Sequence, residues 1–292
     1  MTLVKIFPGK GTQGLAEKIA HAYDYPLGAI TSQKFSDGEI HVSYNESIRG
    51  CEVFLIQSTA PPAENILELL LMIDAARRAS AKYVTVVVPY FGYARQDRKD
   101  KARVSIAAKL IANLLSAAGA DRLMTMDLHA GQIQGFFDIP VDHLDASAIF
   151  VPYLKSKNLK NLVFASPDVG GSARARSYAK FFNADIVICD KQRKRANEIA
   201  SMQVIGDVEG KNVVLVDDMI DTAGTISKAA DLIKEKGAAS VRAFCAHGIL
   251  SGKAYETIES SVLEEVVITD SIPQKHQHEK IKVLSVDELF AK

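Results

Sequence analysis

Cysteine is scarce in this sequence, which has three thiols, at positions 51, 189 and 245, and no pair at CxxC spacing. A small, odd set of scattered cysteines argues against a disulfide framework or a zinc site and is typical of a reducing compartment. No apolar run approaches the roughly 20 residues that a membrane-spanning helix requires. No apolar segment of a signal peptide follows the first five residues either. We therefore expect a cytoplasmic protein with no membrane partner.

An excess of charge of either sign is also lacking, because 35 Lys and Arg residues balance 35 Asp and Glu residues. This balance removes any general attraction to nucleic acid, and we expect no nucleic-acid partner. The motif GxxxxGK[ST] does not occur in the sequence, which excludes an ordinary P-loop kinase. Local clusters of polar residues must therefore carry the function.

What the sequence does contain is a regular alternation of short apolar strands and helical patterns. Its 292 residues suit two domains of about 150 residues each. The predicted strands are Val4–Phe7, Val53–Ile56, Tyr83–Pro89, Arg122–Asp127, Leu162–Ser166, Ile186–Cys189, Val213–Val216, Val241–Ala246 and Val266–Thr269. Alternation of this kind predicts an α/β fold with mostly parallel sheets flanked by helices. A polar run near residue 156 favours a division into residues 1–148 and 149–292.

The run Val213–Thr225 is the most informative stretch of the sequence. A buried strand leads into two carboxylates, Asp217 and Asp218, and then into a turn of small residues that opens a helical pattern. Backbone amides at such a turn, with the helix dipole behind them, bind phosphate. Paired carboxylates accept hydrogen bonds from vicinal hydroxyls. Together these groups describe a site for a phosphorylated ribose at the strand-to-helix switch, where open α/β sheets bind ligands.

The segment GKGTQG at residues 9–14 matches the GxGxxG pattern of dinucleotide-binding proteins. The match is weak, because Pro8 stands between strand and turn and no strand ending in an acidic residue follows about 20 residues later. A nicotinamide site is therefore a minor alternative here.

Two further segments suit a nucleotide triphosphate. FSDGE at residues 35–39 offers an aromatic ring for a base and carboxylates for an exocyclic amine, although a hairpin turn with a buried Phe35 is an equal alternative. Residues 89–103 carry three aromatics, Tyr90, Phe91 and Tyr93, whose rings suit a base, followed by five cations, and guanidinium groups bind phosphates through paired hydrogen bonds. The alternative is a solvated basic loop, but the position just after a strong strand favours a site.

Three more strand ends carry polar residues. His129 follows the strand at 122–127, and Asp168 with its glycines follows the strand at 162–166. Glycines let backbone amides approach a pyrophosphate closely, and an aspartate can hold Mg²⁺ directly or through water. The basic segment 190–198 fits either a mobile flap over an anionic transition state or a plain surface loop.

These segments occur together and in one order, and this combination strongly resembles the ribose-phosphate pyrophosphokinases over nearly the whole chain. The segments that carry the resemblance are FSDGE at 35–39, YARQDRKDKAR at 93–103, MDLHAGQIQGFFDIP at 126–140, SPDVGG at 166–171, DKQRKRANE at 190–198 and VDDMIDTAGT at 216–225. The resemblance implies two type I phosphoribosyltransferase-like domains with the active site at their junction. It also implies transfer of pyrophosphate from Mg·ATP to the 1-hydroxyl of ribose 5-phosphate, giving phosphoribosyl pyrophosphate and AMP.

By position, the resemblance assigns a role to each segment. The implied ATP contacts are Phe35, Asp37, Gly38, Glu39, Arg95, Gln96 and Asp97. The implied ribose 5-phosphate contacts are Arg193, Asp217, Asp218, Asp221, Thr222, Ala223, Gly224 and Thr225. The implied pyrophosphate loop is Asp168, Val169, Gly170 and Gly171, with His129 and Asp168 at the Mg²⁺ positions. Lys191 and Arg193 match the catalytic flexible loop, whose cations would stabilise the charge of the transferring group.

The resemblance also implies assembly and regulation. In the family a neighbouring subunit supplies the hairpin at residues 35–39, so we expect a homo-oligomer, by resemblance a hexamer. Phosphate and ADP are the implied effectors, at positions matching Ser47, Arg49, Ser80, Arg103 and Gln134. Relatives usually continue beyond residue 292 into a serine-containing segment that completes this effector site. The sequence also departs from the family at the glycine-rich segment 9–14 and at Val104, where a proline is common.

Two alternative functions predict different residues. A catalytically silent regulatory homologue would have an altered basic loop at residues 191–193 or altered metal positions, and all of these match the family. A phosphoribosyltransferase would consume phosphoribosyl pyrophosphate and would not need the ATP-side segments at residues 35–39 and 93–103. Both segments are present, so the sequence favours the synthetase.

Overall fold

The computed structural model describes residues 3–195 and 198–292, and for residues 191–195 and 198–201 it describes the path of the strands alone. The chain divides into two compact units. Unit 1 comprises Met1–Asp145, Ser271–Pro273 and Ser285–Lys292, and unit 2 comprises Ala146–Asp270 and Gln274–Leu284. The first change of unit, at residue 145, lies three residues before the predicted division at residue 148. Two later segments that the sequence assigned to the second domain belong to unit 1.

The elements of unit 1 alternate between strands and helices. They are β1 (Val4–Pro8), α1 (Gln13–Ala22), β2 (Ile30–Lys34), β3 (Ile40–Tyr44), β4 (Glu52–Ile56), α2 (Glu64–Arg78), β5 (Tyr83–Val88), α3 (Ala107–Ala118), β6 (Arg122–Met126) and β7 (Val141–Leu144). Short 3₁₀ helices occupy Lys10–Thr12 and Gly131–Phe136. The order β1-β4-β5-β6-β7 forms a five-stranded sheet in which every neighbouring pair is parallel. β2 and β3 form a separate antiparallel hairpin.

Alternate residues of the unit 1 strands face different helices. One face, which includes Leu55 and Val86, packs against apolar residues of α2 and α3. The opposite face, which includes Ile56 and Val87, lines a cavity with residues of α1 and of a short C-terminal helix. Because both faces are covered, the inner strands β4 and β5 are mostly apolar, as buried parallel strands are.

Unit 2 is built on the same plan. Its elements are α4 (Ser147–Ser156), β8 (Leu162–Ser166), α5 (Ser172–Phe182), β9 (Asp185–Arg195), β10 (Glu198–Ile205), β11 (Asn212–Ile220), α6 (Gly224–Glu235), β12 (Ser240–Gly248), α7 (Ala254–Ser260), β13 (Glu265–Thr269) and β14 (Ile281–Leu284). The chain ends with α8 (Asp287–Ala291), which packs on α1 in unit 1. The sheet has the order β10-β9-β8-β11-β12-β13-β14. All of its pairs are parallel except β10 with β9.

Both units therefore confirm the predicted α/β fold with mostly parallel sheets flanked by helices. The core of unit 2 lies between β11, β12 and the apolar face of α6, where Ala229, Ala230 and Ile233 are fully buried. Within the described part of the chain, no helix combines the length and the apolar character needed to cross a membrane.

Candidate active site

The two central strands of unit 2 lead to opposite sides of their sheet. β8 is followed in the chain by β9 on one side, whereas β11 is followed by β12 on the other. The carboxyl ends of β8 and β11 therefore flank a topological switch point, where open α/β sheets bind ligands. The loops 166–171 and 221–225, which the sequence predicts to bind phosphate groups, both begin at this edge.

The acidic pair lies on an extension of β11 beyond its neighbour. β11 pairs with β8 only as far as Leu215 but pairs with β12 as far as Ile220. Asp217 and Asp218 therefore belong to the strand itself, which is longer than the predicted Val213–Val216. In this extension their side chains lie beyond the end of β8, next to the loop that follows it.

Arg174 of α5 is the charge partner of the acidic pair. Its Nη1 atom lies 3.3 Å from Asp218 Oδ1 and 3.7 Å from Asp217 Oδ1. The backbone amide of Asp218 also donates to Asp217 Oδ1 at 2.9 Å. Burial, with the adjacent Asp218 carboxylate adding to it, raises the pKa of Asp217 well above its usual value. Removal from water destabilises the charged form of a carboxylate. A single arginine that is shared by two acids offsets only part of this cost.

The turn after β11 leads into α6, whose N-cap residue provides no capping side chain. Ala223 is the N-cap residue of α6 and adopts the left-handed conformation, with φ of +62°. An alanine methyl group cannot accept a hydrogen bond, so the first amides of α6 are not capped by the side chain at this position. Ser251 donates to the Asp221 carboxylate and fixes the start of the turn. The N-terminus of a helix of 12 residues, with no capping side chain at Ala223, suits an anion such as a phosphate.

The loop after β8 is folded around Asp168. The Gly171 amide donates to Asp168 Oδ1 at 2.9 Å, and the Ser166 hydroxyl donates to the Asp168 carbonyl at 2.6 Å. A Cβ atom at residue 171 would lie 2.5 Å from Ser166 Oγ, so this position requires glycine. Val169 at the tip of the loop is exposed. In this loop Asp168 is half-buried and Gly170 is exposed.

The predicted adenine contacts of unit 1 lie at the tip of the β2–β3 hairpin. The Phe35 amide donates to the Glu39 carbonyl at 2.8 Å, and the Glu39 amide donates to Asp37 Oδ1 at 3.0 Å. Gly38 has φ of +98°, which the tight turn requires. The Phe35 side chain is 50% exposed, and its ring centroid lies 5.4 Å from that of His41. The alternative of a hairpin with a buried Phe35 is therefore wrong.

The aromatic and basic segment after β5 separates into two parts. Tyr90 and Phe91 are buried, so their rings belong to the core and cannot stack on a base as the sequence suggested. A Cβ atom on Gly92 would lie 2.1 Å from the Thr59 carbonyl oxygen, so close packing requires this glycine. Tyr93 is 40% exposed and has φ of +64°.

The polar part of the same segment faces solvent. Arg95 and Gln96 are exposed and Asp97 is half-buried. The Gln96 carbonyl accepts from the Ala108 amide at 3.2 Å, which holds this loop against the start of α3. His129 is exposed beyond the end of β6. Because β5 and β6 are parallel neighbours, this histidine and the polar loop lie at the same edge of the unit 1 sheet.

The described part of the basic segment 190–198 belongs to the strands β9 and β10. β9 continues to Arg195 and pairs antiparallel with β10, with Lys191 opposite Met202. The side chains of the predicted catalytic residues Lys191 and Arg193 lie outside the described residues, as do Ala196 and Asn197 altogether. The catalytic assignment of these residues therefore stays a prediction.

The glycine-rich segment 9–14 serves packing within unit 1. A Cβ atom at Gly9 would lie 2.4 Å from the Gln57 side chain, and one at Gly11 would lie 2.8 Å from Asn65. The Lys10 amide donates to the buried Glu68 carboxylate at 3.1 Å. An amide engaged in this way is not available to a pyrophosphate, which argues against the nicotinamide alternative.

Three of the residues predicted for the effector site lie close together in unit 1. Ser47 and Arg49 line a cavity of about 470 Å³ together with Arg78. The Gly50 amide donates to the Ser80 carbonyl at 2.8 Å, which brings Ser80 next to the same segment. Of the two remaining predicted residues, Arg103 lies before α3 and Gln134 lies in the 3₁₀ helix Gly131–Phe136.

Sequence reasoning missed two residues of these regions, Arg174 and Arg78. Arg174 belongs to a helix pattern with no unusual spacing, and only the fold places it on the acidic pair.

Among the described residues, no group of three or more His, Cys, Asp or Glu side chains is arranged to hold a metal ion. A metal at these loops would therefore depend on phosphate oxygens and water for most of its ligands, as Mg²⁺ commonly does.

Comparison with known proteins covers both units. Residues 4–119 match the family model for the N-terminal domain of ribose phosphate pyrophosphokinase, and residues 190–292 match the phosphoribosyl synthetase-associated domain. A ribose-phosphate pyrophosphokinase of Porphyromonas gingivalis is 60% identical, over 98% of this chain and 92% of that protein. One of Chlorobaculum tepidum is 55% identical, over 99% of this chain and 90% of that protein. The crystal structure of phosphoribosylpyrophosphate synthetase from Mycobacterium smegmatis superimposes with a TM-score of 0.93 at 38% identity, over 99% of this chain and 97% of that one.

Proposed function

Because the chain belongs to the ribose-phosphate pyrophosphokinase family, we propose that its strand-end loops transfer pyrophosphate from ATP to the 1-hydroxyl of ribose 5-phosphate. The products are phosphoribosyl pyrophosphate and AMP. The observation that carries this assignment is the acidic pair of β11 directly before the N-terminus of α6, at the switch point of the unit 2 sheet. This edge of the unit 2 sheet thereby offers carboxylates that accept hydrogen bonds from sugar hydroxyls and backbone amides that donate hydrogen bonds to a phosphate.

Ribose 5-phosphate binds through unit 2. The backbone amides of residues 223–225 hold the 5-phosphate, with Asp221, Thr222 and the Thr225 hydroxyl shaping the turn. Asp217 and Asp218 accept hydrogen bonds from the vicinal 2- and 3-hydroxyls and fix the ring. Arg174 keeps this pair in place and offsets part of its charge.

ATP binds through unit 1. Phe35 stacks on the adenine, and Asp37, Gly38 and Glu39 at the hairpin tip contact its edge. Arg95, Gln96 and Asp97 contact the remainder of the nucleotide, because guanidinium and amide donors suit phosphate and ribose oxygens. The exposure of Phe35 and Arg95 leaves both groups accessible to a ligand.

The transfer step places charge on the moving group. The anomeric hydroxyl attacks the β-phosphorus in line, the bond from that phosphorus to the α-phosphate oxygen breaks, and AMP departs. Asp168, Val169, Gly170 and Gly171 form the loop that receives the pyrophosphate as it joins the sugar; the Gly171 amide holds Asp168 Oδ1, and the amides of Val169 and Gly170 are the proposed donors to the ligand. Lys191 and Arg193 stabilise the transition state more than the bound substrates, because negative charge spreads over the group as it moves.

Mg²⁺ fits the donors at these loops. When bound with ATP, the ion would neutralise the phosphate oxygens and polarise the β-phosphorus. The Asp168 carboxylate is a suitable oxygen ligand. The imidazole of His129 is a poor direct ligand for Mg²⁺ and fits the role by holding a metal-bound water.

Substrate analogues test the assignment of the unit 2 site. The purified chain is incubated with ATP and Mg²⁺ and with one of three acceptors: ribose 5-phosphate, 2-deoxyribose 5-phosphate or ribose. We expect AMP to form rapidly only with ribose 5-phosphate, because each analogue lacks one of the two features that the site recognises. Equal rates with 2-deoxyribose 5-phosphate would contradict the role of the acidic pair. No AMP with any acceptor would favour a silent homologue, and consumption of phosphoribosyl pyrophosphate with a free base would favour a phosphoribosyltransferase.

Phosphate and ADP act as effectors at the cavity lined by Ser47 and Arg49. Its lining includes a second arginine, Arg78, whose Nε atom donates to Asp74 at 2.7 Å. Ser80, Arg103 and Gln134 complete the assignment by family position.

The active form is a homo-oligomer, a hexamer in the family pattern, in which each hairpin tip serves the ATP site of a neighbouring subunit.

All three cysteines are unpaired and buried, which supports a reducing, cytoplasmic location.

A further inference from the structure

The β2–β3 hairpin lies along one stripe of α2. Three residues of α2 spaced four apart contact it, and residues at this spacing share one face of a helix. Glu64 pairs with Lys34 at 3.4 Å, Glu68 accepts from the Ser32 hydroxyl, and the Met72 carbonyl accepts from Tyr44 Oη at 2.8 Å. The hairpin is thus held to the helix at its tip end, its middle and its base.

The central contact is the unusual one, because Glu68 is only 3% exposed. It interrupts an otherwise apolar face of α2, where Leu69, Met72 and Ile73 are fully buried. Burying a carboxylate is costly unless hydrogen bonds compensate it. A leucine would fill this position but would accept no hydrogen bond, so the role of the carboxylate lies in the donors that it holds.

The partners of Glu68 come from three separate segments. Its Oε1 atom accepts from Ser32 in β2. Its Oε2 atom accepts from Gln57 Nε2 at 2.6 Å and from the Lys10 amide at 3.1 Å. All three donors are neutral, and two of them follow directly on strands of the unit 1 sheet. The carboxylate therefore connects the hairpin to the sheet through two oxygen atoms.

We infer that Glu68 is a positioning residue for ATP: through Ser32 it fixes the hairpin in the geometry from which the tip, residues 35–39, contacts adenine. This inference rests on the proposed ATP role of that tip. A two-stranded hairpin alone is marginally stable in water. If its buried anchor is lost, the tip samples more conformations, and ATP must order it on binding. Ribose 5-phosphate binds through other loops and does not bear this cost.

The most selective test removes only the link between hairpin and carboxylate. Ser32→Ala deletes the hydroxyl and leaves the other two donors to Glu68 in place. We expect the KM for ATP to rise about 5- to 20-fold, in line with loss of a hydrogen bond to a charged group. The KM for ribose 5-phosphate and the midpoint of thermal unfolding should change little. Ser43→Ala is the matched control, because Ser43 lies on β3 and its hydroxyl contacts Asn45 rather than α2.

A second pair of variants tests Glu68 itself. Glu68→Gln keeps an acceptor for Lys10 and Gln57 and an amide that Ser32 can accept from, so the KM for ATP should stay near that of the parent. Glu68→Leu keeps the volume but no acceptor, and it should raise the KM for ATP at least as much as Ser32→Ala. A wild-type KM for ATP in Ser32→Ala would overturn the inference, whatever Glu68→Leu shows. If Glu68→Leu does not fold, Ser32→Ala alone decides.

Phe35→Ala separates failure of this inference from failure of the proposed ATP site. If Phe35→Ala raises the KM for ATP and Ser32→Ala does not, the tip binds ATP but Glu68 does not position it. If Phe35→Ala also leaves the KM for ATP unchanged, the tip is not an ATP contact, and both the inference and that part of the proposed function are wrong.

Discussion

At the scale of single residues, Asp217 shows a conflict between stability and function. Its pKa is raised by burial and by the neighbouring carboxylate, so the charge that the proposed sugar recognition requires destabilises the fold. Displaced pKa values of this kind are typical of functional sites. Arg174 limits the cost by lying within 4 Å of both carboxylates.

Replacement of this carboxyl group by an amide should stabilise the protein at neutral pH. The pKa of Asp217 in the folded chain lies above the unfolded value of about 3.9. Between these two pKa values the folded chain binds more protons than the unfolded chain, so the stability of the fold decreases as the pH rises. Asp217→Asn removes this loss. Its unfolding midpoint should exceed that of the parent at pH 8 and approach it at pH 4, while synthesis of phosphoribosyl pyrophosphate falls.

Thermal unfolding of both proteins between pH 4 and 8 measures the effect. Asp207→Asn is a suitable control, because Asp207 is an exposed carboxylate whose pKa is lowered by Lys211, so its replacement should not stabilise. A stability gain at Asp217 that does not change with pH would contradict the account.

At the scale of elements, the sequence predicted the strands that form the centre of each sheet. All nine predicted strands exist, because buried parallel strands are continuous apolar runs that stand out from their surroundings. The hairpin β2–β3, the ribbon partner β10 and the edge strands β7 and β14 were missed. The residues of β2, β3, β7 and β14 are half-buried or exposed and mixed in polarity, as in the sequence ITSQK of β2. Tertiary contacts with neighbours decide the structure of such segments.

The same distinction applies to the candidate site. Loops 166–171 and 221–225 could be predicted because glycine and acidic residues directly follow apolar strands. Tyr90 and Phe91 were misassigned as base contacts, because sequence alone does not tell a buried aromatic residue from an exposed one. Glu68 and Arg174 could not be found, since their roles depend on partners more than 30 positions away in the chain.

The loop between β11 and α6 gives the prediction at this scale. Ala223→Asp would place a negative charge beside the 5-phosphate, and aspartate tolerates the left-handed conformation of this residue. We expect the KM for ribose 5-phosphate to rise at least about tenfold more than in Ala223→Asn, which has the same size without the charge. The KM for ATP should change less in both variants.

Steady-state kinetics with each substrate varied in turn would check this difference. If the two variants raised the KM for ribose 5-phosphate equally, bulk and not charge would be responsible. If Ala223→Asp affected ATP alone, the loop would be assigned to the wrong ligand.

At the scale of the whole molecule, we propose that active sites are shared between subunits. The hairpin tip at residues 35–39 is exposed in the single chain, as a segment that serves a neighbour would be. Two inactive variants make this testable. Asp37→Arg damages the donated tip, and Lys191→Ala damages the receiving site.

Mixed oligomers of these two variants should recover activity, because some sites combine an intact tip with an intact Lys191. Subunits are exchanged by dissociation and reassembly, exchange is verified by two affinity tags, and synthesis of phosphoribosyl pyrophosphate is measured. Each variant reassembled with itself is the control and should stay inactive. Full activity of a monomer in sedimentation, or no recovery after verified exchange, would count against shared sites.

The most direct measurement of the central claim follows the β-phosphorus of ATP. The chain is incubated with Mg²⁺, ribose 5-phosphate and ATP labelled at the β-position, and the products are separated. Transfer of an intact pyrophosphoryl group predicts that the label appears in phosphoribosyl pyrophosphate in an amount equal to the AMP formed, with none in the AMP. Label recovered in ADP or in free pyrophosphate, with no labelled sugar, would contradict the account.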